Sequence, residues 1–368
     1  MVAGSASALV GGHWDISWHQ SIGRDTFWTP PHLLIYLCGI LAGISSAYLI
    51  LGTTFGGHAG ARAASVRLWG FRGPLGAFLC AWGGIAMLVS APFDDWWHNA
   101  YGLDVKILSP PHLVLGIGIF AVRLGALVLI LGQMNRASGE LAHSLRRLFL
   151  FVGSLFIVGL LVLLMEHTVR VYMHSARFYL LLAIPVPFVL AGISRAGAGG
   201  HPSRWPATTM AAVYTAVVAF LVWILPLFPA EPKLGPVYQK VTHFIPPEFP
   251  ILLLVPALAL DLLRPRLAAW GLWRHAAAAG VVFVASLAAA QWPFASFLMS
   301  PAARNRFFGA GYLGFFIEPS SPYALHQFVT LDPSPAAFWQ AMAVAVGAAI
   351  LSTRLGLAWG DWMRRLRR

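Results

Sequence analysis

Residues 30–52 read PPHLLIYLCGILAGISSAYLILG, a stretch without a single Asp, Glu, Lys or Arg. A helix rises about 1.5 Å per residue, so a run of this length crosses the hydrocarbon core of a bilayer, about 30 Å thick. The prolines that open it suit a helix's first turn, where a missing N–H costs nothing. Runs of the same kind recur along the chain, and spans are expected over 30–52, 71–91, 110–133, 147–166, 177–195, 206–228, 246–263, 275–297 and 335–356. The expected fold is an all-α integral membrane protein of about nine transmembrane helices. Pro185 and Pro187 interrupt the fifth span, and the eighth is rich in alanine.

Composition points the same way. Hydrophobic residues make up 58% of the 368 and charged residues only 10%, where a soluble domain carries about a quarter charged. The formal charge of +12 does not imply nucleic acid, because the basic residues are dealt out between the apolar runs. The bilayer is the partner that this distribution implies. Cys38 and Cys80 fall inside apolar runs, where a thiol packs as a small apolar group, so no disulfide framework is expected. Residues 1–15 have neither a basic n-region nor an apolar stretch of signal-peptide length, and the first membrane helix is expected to act as the insertion signal.

Charge sets the expected topology. One set of connections holds Arg62, Arg67, Arg72, Arg136, Arg146, Arg147, Arg195, Arg204, Arg264, Arg266 and Arg274, and the tail adds Arg364, Arg365, Arg367 and Arg368. The opposite loops hold Asp15, Asp25, Asp94, Asp95, Asp104, Glu231, Glu318 and Asp332. Lys and Arg are retained in the cytoplasm, so the N-terminus is expected outside and the C-terminus inside.

An internal repeat lies on the acidic face. WDISWHQSIGRDTFWTPPHLLIY (14–36) and DDWWHNAYGLDVKILSPPHLVL (94–115) share the order acid, Trp-His, Gly, Asp, Pro-Pro-His, offset by 79 residues from Asp15 to Asp94. One period contains a loop and two helices, so the copies are expected as parallel repeats. THFIPPEFPILL (242–253) is a faint third echo, with Glu248 where the others have His. The chain is accordingly divided into a metal-bearing module, 1–133, and a helical scaffold, 134–368.

Each copy supplies one carboxylate and two imidazoles: Asp15, His19 and His32, then Asp94, His98 and His112. An acid and a His four apart share one face of a helical turn. Two His and one carboxylate suit non-haem iron, zinc or copper. A lone His at a wet membrane face would more simply hydrogen-bond its surroundings, but two copies of one spacing favour ligands.

Asp15, Trp18, His19, Arg24, Asp25, Thr26, Thr29, Pro30 and His32 resemble the metal-site segment of the C subunit of particulate methane and ammonia monooxygenases. In that family Asp-x3-His-x12-His binds copper in the membrane part of the subunit. The second copy resembles the neighbouring copper site, Asn-x3-His-x13-His, with Asp94 in place of the Asn. The resemblance covers about residues 13–133. It implies copper, with zinc or iron as alternatives above all at the second site, and a monooxygenase-like oxidoreductase acting with dioxygen on a small apolar or weakly polar substrate. It also implies a bacterial-type inner (cytoplasmic or intracytoplasmic) membrane, and partner membrane subunits or a homo-oligomer. Copper binding, storage or transfer without an organic substrate is the first alternative. A structural subunit of a larger membrane complex is the second.

Further candidates for an outer shell or an additional site are Asp25, Asp95, Asp104, Glu166, His167, His174, His243 and Glu248, since a second carboxylate often orients a ligating imidazole. His13 falls at a terminus expected to be mobile and is not counted as a ligand. Arg123, inside the third span, must find a partner or a wet cavity. Trp18, Trp28, Trp96 and Trp97 are expected to belong to the interfacial belt and to wall the metal sites.

Overall fold

The computed structural model describes residues 1–56, 59–102, 109–198 and 203–366. It is an all-α membrane protein. Among the described residues eight helices are long and apolar enough to cross a bilayer, and strand is limited to one two-stranded hairpin. The chain divides into a first unit, residues 1–15, 25–156 and 363–368, and a second, residues 16–24 and 157–362.

The first unit is built on α1 (Val2–Ser21), α2 (Pro30–Phe55), the short α3 (Ala59–Ala63), the hairpin β1 (Val66–Leu68) and β2 (Phe71–Gly73), α4 (Leu75–Tyr101), α5 (Pro110–Met134) and the start of α6 (Gly139–Thr168). The N-terminal segment corrects an expectation, since it is a helix laid antiparallel against α2 and not a mobile terminus. Small residues permit the approach: a Cβ on Gly11 would stand 2.9 Å from the Pro31 carbonyl oxygen. His13 is buried there, and its Nδ1–H donates to the Leu9 carbonyl at 2.9 Å.

α4 and α5 are antiparallel and in close contact through glycines. A Cβ on Gly83 would meet the Gly118 carbonyl oxygen at 2.6 Å and the Val122 nitrogen at 2.7 Å. Without a hydrophobic drive between helices in lipid, such backbone-level packing holds membrane helices together. α2 lies antiparallel to α4, with Gly39 facing Gly84 and Met87. Asp15 of α1, the C-terminal end of α4 and the N-terminal ends of α2 and α5 therefore share one end of this unit. Arg123 is buried on α5, with its guanidinium 5.6 Å from the centre of the Phe120 ring.

In the second unit α7 (Ala176–Ala183) and α8 (Pro185–Ala196) form one span broken at Ile184, as the two prolines lead one to expect. α9 (Pro206–Ile224), α10 (Leu254–Leu267), α11 (Leu272–Met299) and α12 (Pro335–Met363) follow. The stretch expected as a helix over 246–263 is helical only from Leu254, and α10 has just 14 residues. Pro246, Pro247 and Pro250 exclude a regular helix before it. The extended backbone that results is paired by buried side chains, because Tyr214 Oη accepts from the Ile251 N–H at 3.0 Å and Gln291 Oε1 from the Leu252 N–H at 2.9 Å. Backbone left out of a helix in an apolar interior is tolerated only where protein satisfies it in this way.

Candidate metal centre

Asp94 and His98 stand on the last turns of α4, and His112 is the third residue of α5. His98 Nε2 lies 3.4 Å from one Asp94 oxygen and His112 Nε2 3.4 Å from the other. Among the described residues these are the three metal-type ligands whose donor atoms all fall within 4.8 Å of one another. Local sequence sets each one. Gly102, at φ 88, closes α4 with its N–H on the His98 carbonyl. Ser109 caps α5, its Oγ accepting from the His112 N–H, and Pro110 and Pro111 fill the first turn.

His98 Nδ1 faces the Gly102 carbonyl at 3.3 Å. An Nδ1–H donated there leaves the Nε2 lone pair directed at a carboxylate oxygen, an arrangement that needs a cation between the two, either a proton or a metal ion. A backbone carbonyl on the far nitrogen is the usual way a ligating imidazole is oriented. Asp94 Oδ1 is buried and accepts no hydrogen bond.

Of the first set, Asp15 and His32 meet at the mouth of α2. His32 Nε2 lies 3.1 Å from Asp15 Oδ1 and 3.4 Å from Asp25 Oδ2, and His32 Nδ1 is buried without a hydrogen-bond partner. Asp25 is the surprise. Its side chain is only 6% exposed and its carboxylate faces the same imidazole, though farther off than that of Asp15. It is held there by the turn in which the Thr26 N–H donates to Thr29 Oγ1 at 2.7 Å. His19 stands one helical turn beyond Asp15 on α1. The two sets adjoin, since Asp94 acts electrostatically on His32, and His32 and Asp25 act on Asp94.

A tetrahedral ion bound at about 2.0–2.1 Å separates its donors by about 3.3–3.4 Å. The two Asp94–imidazole separations of 3.4 Å are of that size, so Asp94, His98 and His112 could together hold a metal ion.

The remaining candidates separate from this group. Asp95 is exposed and its backbone carbonyl takes the Asn99 amide at 2.7 Å. Asp104 lies outside the described residues. Glu166 and His167 are exposed at the end of α6. His174 is sandwiched between Trp292 and Phe328, with ring centres 4.1 and 3.8 Å away, and its Nε2 meets the Trp292 carbonyl at 3.0 Å. His243 Nδ1 pairs with Thr242 Oγ1 at 2.9 Å. Glu248 sits in extended backbone, so the third Pro-Pro echo does not open a helix. Its carboxylate accepts from the Tyr323 hydroxyl and faces Arg170 at 3.7 Å. Tyr323, which sequence reasoning missed, is held well above its ordinary pKa by burial and by the Glu248 charge. No spacing signal joins Arg170 to a tyrosine so far along the chain.

Trp28 is 71% exposed and Trp96 55%, which suits an interfacial belt better than a lid. Trp97 packs on Tyr101 at 4.5 Å, and Trp18 on Phe244 at 5.7 Å. No family model, curated protein or solved structure matches the chain.

Asp25 and Asp95 provide an internal comparison. Asp25→Asn is expected to weaken metal retention at the first set by about 10–100-fold, the cost of losing a carboxylate that orients or shares a ligand. Asp95→Asn is expected to leave it unchanged. Metal analysis of both variants after dialysis against a chelator measures this, and equal retention in the two would return Asp25 to the status of a solvated loop acid.

Proposed function

We propose that this chain is a copper-binding, multi-pass protein of a bacterial-type inner membrane, and that it acts as an oxygenase or as the metal-bearing subunit of one. The observation that carries the reading is the gathering of Asp15, Asp25, His32, Asp94, His98 and His112 at the shared end of four helices. The ligand sets are Asp15, His19 and His32, and Asp94, His98 and His112, close enough for one to feel the charge of the other. The substrate is a small apolar or weakly polar molecule, which the bilayer concentrates beside the site. Copper, when bound, would supply the redox chemistry toward dioxygen. The chain's own part is to hold the ligands on rigid helix ends, to leave positions around a three-residue set open, and to limit water with Phe27, Tyr36, Phe93 and Trp97.

Duplication accounts for the arrangement. Gly4 packs on Cys38 as Gly83 packs on Gly118, and these contacts are offset by 79 and 80 residues, as are Asp15 from Asp94 and His32 from His112. The same face recurs in helix packing and in ligands, which supports parallel copies α1–α2 and α4–α5. The positive-inside bias supports placing the ligand end outside, with nine crossings after α1 if residues 246–253 and α10 together make the seventh of them. Labelling a cysteine at position 100 from outside intact cells is the expected result, and labelling only after permeabilisation would overturn the orientation.

Oxygen uptake tests the function. Copper-loaded protein in native membranes is expected to consume dioxygen with a small hydrocarbon, ammonia or an alcohol, and to lose that uptake when copper is chelated. Copper bound without uptake, in the presence of native partner subunits, would instead mark a copper-binding, storage or transfer protein. Neither set binding copper would sink both readings.

A further inference from the structure

The connection between α2 and α4 carries a feature the metal reading does not use. β1 and β2 form an antiparallel hairpin in which Arg67 lies directly opposite Arg72. With Leu68 and Phe71 closing a two-residue turn, the Arg67–Arg72 pair is a non-hydrogen-bonded one, the kind whose side chains lie closest. The outward edge of Arg72 confirms the register, its N–H donating to Thr54 Oγ1 at 2.8 Å while Thr54 Oγ1 donates to the Arg72 carbonyl at 3.0 Å. Like charges directly opposite destabilise a hairpin. A third guanidinium stands beside them, since Arg62 donates to the Thr54 carbonyl at 2.9 Å. Among the described residues no carboxylate forms an ion pair with any of the three.

The turn itself breaks its own chemistry. Trp69 and Gly70 have φ of 49° and 88°, the two positive values a type I′ turn requires. Asn or Asp is the residue this first position favours; a tryptophan there is strained. Trp69 is 78% exposed and stacks on Trp82 of α4 at 5.5 Å. Trp82 lies seven residues into α4, about 10 Å along the helix from its start, so the indole pair runs from the hairpin down the lipid side of the span. Phe55 and Phe71 are exposed beside it. Topology alone would be served by arginines anywhere in this connection and does not call for a strained ring at the tip or for two guanidinium groups in one register.

We infer that this hairpin binds the headgroup of an anionic phospholipid, Arg67, Arg72 and Arg62 meeting the phosphate while Trp69, Trp82 and Phe71 lie along the glycerol and upper acyl chain. Guanidinium groups match phosphate geometry, and aromatic rings prefer the headgroup level. The lipid belongs to the leaflet at the C-terminal end of α2, which the positive-inside bias makes the cytoplasmic one, where anionic lipid attracts basic segments.

The test uses the full chain in mild detergent, with retained lipid counted by mass spectrometry of the intact protein. Phosphatidylglycerol is expected to be retained in preference to phosphatidylcholine of the same chains. The double variant Arg67→Gln/Arg72→Gln should weaken phosphatidylglycerol retention about thirtyfold, from the roughly fivefold that each basic residue at an anionic surface contributes. Trp69→Gly relieves the turn, so it should raise or preserve thermal stability while still lowering lipid retention, a combination that a purely structural role for Trp69 would not produce. Equal retention of the two lipids, no loss in the arginine variant, or displacement of phosphatidylglycerol by inorganic phosphate would overturn the assignment, the last by pointing to a free-anion site.

Discussion

His98→Ala is expected to empty the Asp94, His98 and His112 set while leaving metal at the first set. Both Nε2 atoms of the second set reach the single carboxylate of Asp94 at 3.4 Å, so removing one imidazole leaves a two-residue site. Affinity should then fall by more than the roughly 10–100-fold that loss of an outer partner alone costs. Total metal should fall in part, and His19→Ala or His32→Ala should produce the complementary partial loss. Stability offers a second readout. A ligand present at about 100 times its dissociation constant stabilises the fold by about 2.7 kcal/mol, so copper should raise the unfolding midpoint of the wild type more than that of His98→Ala. Complete loss of metal from each single variant, with helix content intact, would mean that the adjoining sets form one shared centre.

Gly83→Val should abolish metal retention at the second set without touching a ligand. A Cβ at Gly83 would lie 2.6 Å from the Gly118 carbonyl oxygen and 2.7 Å from the Val122 nitrogen, and these are backbone atoms that cannot swing aside. α4 and α5 must separate, and the separation reaches Asp94 and His98 on one helix and His112 on the other. Overpacking of a tight interior costs about 1–3 kcal/mol, and the value here should fall at or above the upper end. Gly43→Val is the control, because a Cβ there meets nothing within 4 Å. Thermal unfolding and metal content of both variants measure the difference. If Gly83→Val retains its metal and its unfolding midpoint, the glycine contact does not position the site.

Much of this protein is legible in one dimension because the bilayer acts on it residue by residue. An apolar run must cross, arginine must stay inside, and Pro-Pro must open a helix, so the spans beginning at Pro30 and Pro110 follow from composition alone. The pairing of Asp94 with His98 follows from helical period. The rest depended on which surfaces meet. α1 is too rich in Gly, Ser and Ala to announce itself as a span, and it is a helix because those small residues pack on α2. Residues 246–253 have the hydropathy of a span but cross no further as helix than prolines allow, their backbone being paired by Tyr214 and Gln291. Asp25 is ten residues from Asp15 in the chain, with nothing in its spacing to separate it from Asp95, and only the Thr26–Thr29 turn brings it to His32. The sequence by itself determined the solvent, most of the membrane spans and the repeated Asp and His spacing. The tertiary structure decided that Asp94 stands near His32 as well as near His98 and His112, because antiparallel packing of α2, α4 and α5 brings together helix ends that are distant along the chain.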